Sequence, residues 1–127
     1  MTDVLLDRGS FRDPSGRVYR VGDDIYRTIH ERAKDHYEFV QSTGLLPELI
    51  SSGRLVSTEE TNRGVIPAEG AKIHRVVTHE RIPFVSYPYE WCFSQLKDAA
   101  LATLEIQKTA FEFGMVLKDA SAYNIQF

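Results

Sequence analysis

Near the carboxy-terminal end, Asp119 and Asn124 stand five residues apart in the pattern Asp-x-x-x-x-Asn, just after the apolar triplet Met115-Val116-Leu117 and Lys118. Phosphoryl transfer needs a carboxylate that accepts or orients the proton of an attacking hydroxyl and an amide oxygen that holds a metal ion. A loop of this length can aim both at one phosphate. Asp119 and Asn124 are therefore the candidate catalytic pair, with Lys118 beside them as a candidate ligand contact. The competing reading is turn chemistry, because Asp and Asn populate turns of many kinds.

The other chemistry-bearing residues are more scattered. Arg27 lies on an expected strand, and Glu31 or Glu38 in the segment that follows could pair with it. Arg27 and Glu31 complete the candidate ligand-binding set, a surface ion pair being the plainer reading. His74 and His79 are five apart on an expected strand and face opposite sides. His30 and His36 are six apart on an expected helix and diverge, so no metal site is expected. The single cysteine, Cys92, can close no internal disulfide and reads as a small apolar residue. Tyr87, Tyr89, Trp91 and Phe93 could form a stacking platform, but an aromatic-rich link between a sheet and a helix reads more simply as core filling.

The 127 residues carry 15 Lys and Arg against 18 Asp and Glu, a formal charge of −3, with 43% apolar residues. This predicts a single module over residues 1–127 built on one core. The weak acidic excess offers no clustered cations for nucleic acid or an anionic membrane surface. No apolar run approaches the ~18 residues of a membrane span. The opening Met-Thr-Asp-Val-Leu-Leu-Asp-Arg lacks a basic start followed by an apolar stretch of signal-peptide length. The expectation is a cytoplasmic location with neither a nucleic-acid nor a membrane partner.

Positioning the Asp-Asn loop falls to the elements before it. Asp13-Pro14-Ser15-Gly16 reads as a turn between strands near 9–12 and 17–21, and Gly22-Asp23 as a tight hairpin into a third strand over 24–28. Thr28 and Glu31 have capping-box spacing, which predicts a helix over 29–43. Ile29, Ala33, Tyr37, Phe39 and Val40 would form its apolar face, and Gly44 its left-handed stop. A short helix over 45–52 closes at Gly53. A strand at 54–58, a polar loop over 59–70 containing Asn62, Gly64, Pro67 and Gly70, and a strand at 72–81 follow. The strongest helix runs from Trp91 or Ser94 to Phe113, with Leu96, Ala100, Leu104 and Phe111 as core candidates and Gly114 as its end. Short strands are expected at 115–117 and from 125 onward, and an unfinished last strand points to a larger parent. The sum is an α+β fold with a small, mostly antiparallel sheet and two main helices, sheet-rich over 9–86 and helix and loop over 91–127.

That order of elements, ending in a long helix and an Asp-x-x-x-x-Asn loop, resembles a protein-kinase small lobe plus the start of the large lobe. The resemblance implies ATP and magnesium as ligands, with Arg27 where a kinase carries a lysine. The kinase set is incomplete here, because no Gly-x-Gly-x-x-Gly phosphate loop occurs and the segment for the magnesium-binding Asp lies beyond Phe127. The runs Ser86-Tyr87-Pro88-Tyr89-Glu90-Trp91 and Lys118-Asp119-Ala120-Ser121-Ala122-Tyr123-Asn124-Ile125-Gln126-Phe127 are also similar to the amino-terminal region of a bacterial family of class I methyltransferases and nodulation-related proteins. This second resemblance runs across most of the chain and implies a parent with a separate S-adenosylmethionine-binding domain. The chain itself holds no glycine-rich turn for that cofactor.

Together these readings predict an auxiliary amino-terminal module of a methyltransferase-associated protein. It would bind a nucleotide or another small phosphorylated ligand and would not be active alone. ATP with magnesium is the ligand it could take itself, and S-adenosylmethionine would enter only through a carboxy-terminal domain. The rival is a non-enzymatic interaction module that forms a homodimer or docks on a carboxy-terminal methyltransferase domain, satisfying an unpaired final strand by β-addition.

Overall fold

β-Branched and aromatic residues at alternating positions build the first layer of the computed structural model, which describes residues 3–62, 64, 66 and 72–127. Among the described residues, five strands form one antiparallel sheet. They are β1 (Val4–Leu6), β2 (Gly16–Val21), β3 (Asp24–His30), β4 (Thr58–Thr61) and β5 (Ile73–His79), in the order β1-β2-β3-β5-β4. Val21 pairs with Asp24, so the β2–β3 hairpin has a two-residue loop. Gly22 takes its first position with φ 61°, as a type II′ turn asks. The α+β class with a small antiparallel sheet, read from the sequence, is the architecture found.

Several boundaries differ from the sequence reading because a side chain finds a better partner. Residues 9–12 are not a strand. The Asp7 carboxylate accepts from the Gly9 amide at 2.8 Å and the Ser10 hydroxyl donates to the Asp7 carbonyl at 2.7 Å, which winds Arg8–Arg12 into a 3-10 turn. The first strand lies earlier, at β1. Thr28 is no helix cap. It is fully buried within β3, where its hydroxyl accepts from the Arg17 amide at 3.0 Å. Because β3 lies between β2 and β5, Thr28 and Ile29 pair on both sides, which suits β-branched residues. The strand therefore runs on to His30, a 3-10 turn covers Glu31–Ala33, and helix α1 (Lys34–Thr43) starts later than expected. Gly44 (φ 81°) ends α1 and Gly53 (φ 70°) follows α2 (Leu45–Ser51), both left-handed stops as read from the sequence. The strand expected at 54–58 is instead β4, displaced to Thr58–Thr61. Pro67 and Gly70 of the expected polar loop lie outside the described residues.

Among the described residues, most buried apolar side chains gather in two clusters, not one. Tyr19, Ile66 and Val76 form the first on the sheet, with Val21 and Tyr26 packed against them. Leu45, Leu49 and Ala110 form the second, joining α2 to α3 (Phe93–Glu112) with Ile106 and Met115 beside them. Of the core residues expected on α3, none is buried. Leu96, Ala100, Leu104 and Phe111 are all exposed, and the helix uses Ala99 and Ala110 instead. Small side chains let α3 approach α2 closely, which leaves its larger residues on the outer flank. Among the described residues, no helix is long and apolar enough to cross a membrane.

Polar contacts hold α1, for it has no buried residue and Phe39 is exposed. Buried His74 donates from Nε2 to the Glu38 carboxylate at 2.6 Å, Arg75 stands 3.6 Å from the same oxygen, and the Tyr37 hydroxyl donates to Glu60 at 2.9 Å. Burial, with the Glu60 hydrogen bond adding to it, pushes the Tyr37 hydroxyl up to about 12. The hydrogen bond from His74, helped by the Arg75 charge, holds Glu38 below its ordinary value of 4.5. A carboxylate depressed in the folded state stabilises above its unfolded pKa, and that contribution is lost as pH falls through the folded value. On acidification below about pH 4.5, the melting temperature of the wild type is therefore expected to fall more steeply than that of Glu38→Gln. Calorimetric melts that stay parallel across pH 6 to 3 would rule out this attachment of α1.

Candidate functional site

The loop that carries the Asp-Asn pair is tied down at entry and exit. At its entry, the Gln107 side-chain carbonyl on α3 accepts from the Leu117 amide at 3.0 Å. At its exit, Gln126 spends both ends of its amide on Ser86. The Ser86 amide donates to Oε1 at 2.8 Å, and Nε2 donates to the Ser86 carbonyl at 3.0 Å. A side chain thereby supplies the two bonds that a neighbouring strand would exchange with Ser86. Buried Trp91 donates from Nε1 to the Ser86 hydroxyl at 2.9 Å and meets Phe127 edge-on, with ring centroids 5.0 Å apart. The last residues thus pack on the extended link before α3, and neither 115–117 nor 125–127 forms the expected strand.

Between those anchors Asp119 adopts φ 53°, the one positive value at a non-glycine residue among the described residues. Its carbonyl accepts from the Ser121 amide at 2.9 Å and from the Asn124 side-chain amide. The structure so brings the two predicted residues together, through the Asn124 nitrogen and the Asp119 backbone. The Asp119 carboxylate and Asn124 Oδ1 keep no hydrogen bond or ion pair among the described residues, and exposed Lys118 adjoins them.

The sheet-side candidates sit elsewhere. Arg27 is exposed on β3, and Glu31 opens the turn that follows it, 3.9 Å from Lys34 and 3.8 Å from His74 Nδ1. Among the described residues Arg27 pairs with neither Glu31 nor Glu38, and no hydrogen bond or ion pair joins Arg27 or Glu31 to the Asp119 loop. The Arg27 charge reaches His79, whose imidazole is held below the ordinary histidine value, first by burial.

A carboxylate and an amide oxygen are hard donors of the kind magnesium takes, and phosphate oxygens complete such a shell. Among the described residues, no group of three or more His, Cys, Asp and Glu is placed to hold a metal ion. Among the described residues, a glycine-rich cradle is not part of the arrangement. The β1–β2 connection is the 3-10 turn with Gly9, and the β2–β3 connection is Gly22-Asp23.

Sequence reasoning missed Gln107, Ser86 and Gln126 as positioning residues, since nothing local marks a glutamine that bonds a residue forty positions away. Trp91 fills core as expected. Tyr87, Tyr89 and Phe93 do not. They are exposed, the two tyrosine rings stacked with centroids 5.6 Å apart. Cys92, read as a small apolar residue, is exposed at the start of α3.

No known protein family and no solved structure matches the chain. In amino-acid sequence it is similar to the nodulation protein NoeA of Rhizobium meliloti (strain 1021), with 40% identity over 119 residues, and the match covers 94% of this chain but 25% of that protein. The chain therefore spans about a quarter of the length of the curated relative it matches.

Proposed function

We propose that this chain is an accessory module of a larger nodulation-related protein, and that its Asp119–Asn124 loop positions a small phosphorylated ligand. One observation carries the reading. Asp119 is held in a left-handed backbone by the Asn124 amide, while its carboxylate and Asn124 Oδ1 stay unengaged among the described residues. Backbone strain of this sort, about 1–3 kcal/mol, tends to persist where a site uses it. Asp119 orients a hydroxyl or shares magnesium with Asn124 Oδ1, and Lys118 offsets phosphate charge. Arg27 on β3, with Glu31 in the turn that follows that strand, would supply a contact from the sheet side. The kinase-like order of elements favours a nucleotide as the ligand. Any methyl transfer belongs to a domain outside these residues, as the methyltransferase resemblance implies.

Calorimetric titration with ATP and magnesium tests the proposal. The wild type is expected to bind saturably, and Asp119→Asn to weaken binding at least tenfold. Asp119→Gly separates function from folding. Glycine accepts φ 53° without a Cβ penalty, so stability is expected to stay within about 1 kcal/mol of wild type while binding is lost. Absence of heat with folded wild-type protein, or full binding by both variants, would end the ligand reading.

A further inference from the structure

We infer that one face of the sheet holds a phosphate group between Arg27 and His79. Strand register assembles the pair. Arg20 lies opposite Ile25 and Ile25 opposite His79, and in the next row Arg27 lies between Val18 and buried Val77. Directly opposite residues share a face, and diagonal neighbours on it stand roughly 7–8 Å apart. Arg27 therefore has His79 and Arg75 at its diagonals on β5 and Arg20 at its diagonal on β2.

The charges on that face are unevenly matched. Arg20 stands 3.5 Å from Asp7, and Arg75 stands 3.5 Å from Glu60 and 3.6 Å from Glu38. At the hairpin end, Arg81 pairs with Asp23 in a cleft that Arg20, Ile25 and Asp3 also line, so acids already balance that end. The exposed Arg27 guanidinium makes no ion pair or hydrogen bond with the described residues. Like charges facing one another across strands repel, and an anion at Arg27 removes that cost. With 18 Asp and Glu against 15 Lys and Arg, the chain has acids to spare for Arg27 and places them elsewhere.

His79 is the second donor. Its Nδ1 lies 3.2 Å from the Ser57 carbonyl and 3.1 Å from Thr58 Oγ1. A carbonyl oxygen only accepts, so Nδ1 carries the proton of the neutral ring and Nε2 is left as an acceptor. Nε2 has no partner among the described residues. A phosphate oxygen cannot pair with a bare acceptor, so binding takes up one proton from solvent at Nε2, after which both ring nitrogens donate. Burial first, and then the Arg27 charge, hold the imidazole below its ordinary value and oppose that proton. An oxyanion seated between the two side chains cancels the Arg27 contribution. The other charged groups on this face are Arg20 of β2, Glu60 of β4, and Arg75 and Arg81 on the segment of His79 itself, and Glu60 is engaged by Arg75 and Tyr37. The site takes Arg27 from the ligand reading above but does not need the Asp119 loop.

Proton NMR titration of the four histidines tests it, with sodium sulfate compared to sodium chloride at equal ionic strength. Sulfate is a phosphate mimic whose charge stays fixed across the titration. In saturating sulfate the proton affinity of His79 is expected to rise about tenfold, while exposed His36 titrates alike in both salts. Arg27→Gln is expected to raise the proton affinity of His79 in chloride, because a neighbouring cation is gone, and to abolish the response to sulfate without changing the melting temperature. Displacement of sulfate by methyl phosphate marks a site for a phosphate ester, and displacement by inorganic phosphate alone a site for the ion. Equal sulfate responses at His36 and His79 would overturn the inference, as would a full response in Arg27→Gln. Asp119→Asn is expected to keep the response, so a failure of the loop reading and a failure of this one are told apart.

Discussion

Gly16→Ala is expected to cost about 2–4 kcal/mol and to lower the melting temperature by roughly 10 °C. Gly16 is buried at the start of β2, paired with Ile29 of β3, and a Cβ placed on it would fall onto the Thr28 carbonyl oxygen. That oxygen belongs to the backbone of the central strand and cannot swing away, so β2 and β3 would have to separate. Gly44 is the control. Its φ is 81°, but a Cβ there meets nothing within 4 Å, so Gly44→Ala is expected to cost only the left-handed backbone penalty of about 1 kcal/mol. Chemical denaturation of both variants checks the contrast, and equal losses would mean that the close approach of β2 to β3 is not what Gly16 provides.

Trp91→Ala is expected to lose about 3–5 kcal/mol and, with it, the position of the Asp119 loop. The indole is buried, donates to Ser86 Oγ and packs edge-on against Phe127, while Gln126 bonds both backbone groups of Ser86. Removing the ring takes away the surface that holds the last residues against the link before α3. Gln126→Ala removes three hydrogen bonds to Ser86, one of them long, and leaves the ring, with an expected loss of about 1–3 kcal/mol. If the loop is held as described, Gln126→Ala also weakens binding of ATP with magnesium about tenfold while the protein stays folded at 25 °C. Trp91 is the one tryptophan in the chain, so its fluorescence reports the anchor directly. A blue-shifted, unaltered spectrum in Gln126→Ala with wild-type nucleotide affinity would show that the loop does not depend on this contact.

The Asp119–Asn124 pair was legible because five residues of loop can close on themselves without help from the rest of the chain. The hairpin at Gly22-Asp23 and the helix stops at Gly44 and Gly53 were legible for the same reason, since a left-handed φ is a demand made by the local backbone. Thr28 shows where such reasoning failed. Its capping-box spacing with Glu31 is a real local preference, but two neighbouring strands offer β3 backbone partners on both edges, and a buried hydroxyl satisfied by the Arg17 amide outweighs a cap. The outer flank of α3 failed differently. Periodicity finds apolar seams, and nothing in a helical period says which of two seams meets the chain itself.

The residues alone determined the class of fold, the hairpin at Gly22-Asp23, the left-handed helix stops and the closeness of Asp119 to Asn124 on one loop, because turn stereochemistry and side-chain alternation act over a few positions. Only the tertiary structure decided that His74 secures α1, that Gln126 and Trp91 fasten the carboxy-terminal loop to Ser86, and that the large apolar residues of α3 stay uncovered. Those outcomes depend on which distant groups arrive within hydrogen-bonding reach, a competition among long-range partners that no short stretch of sequence records.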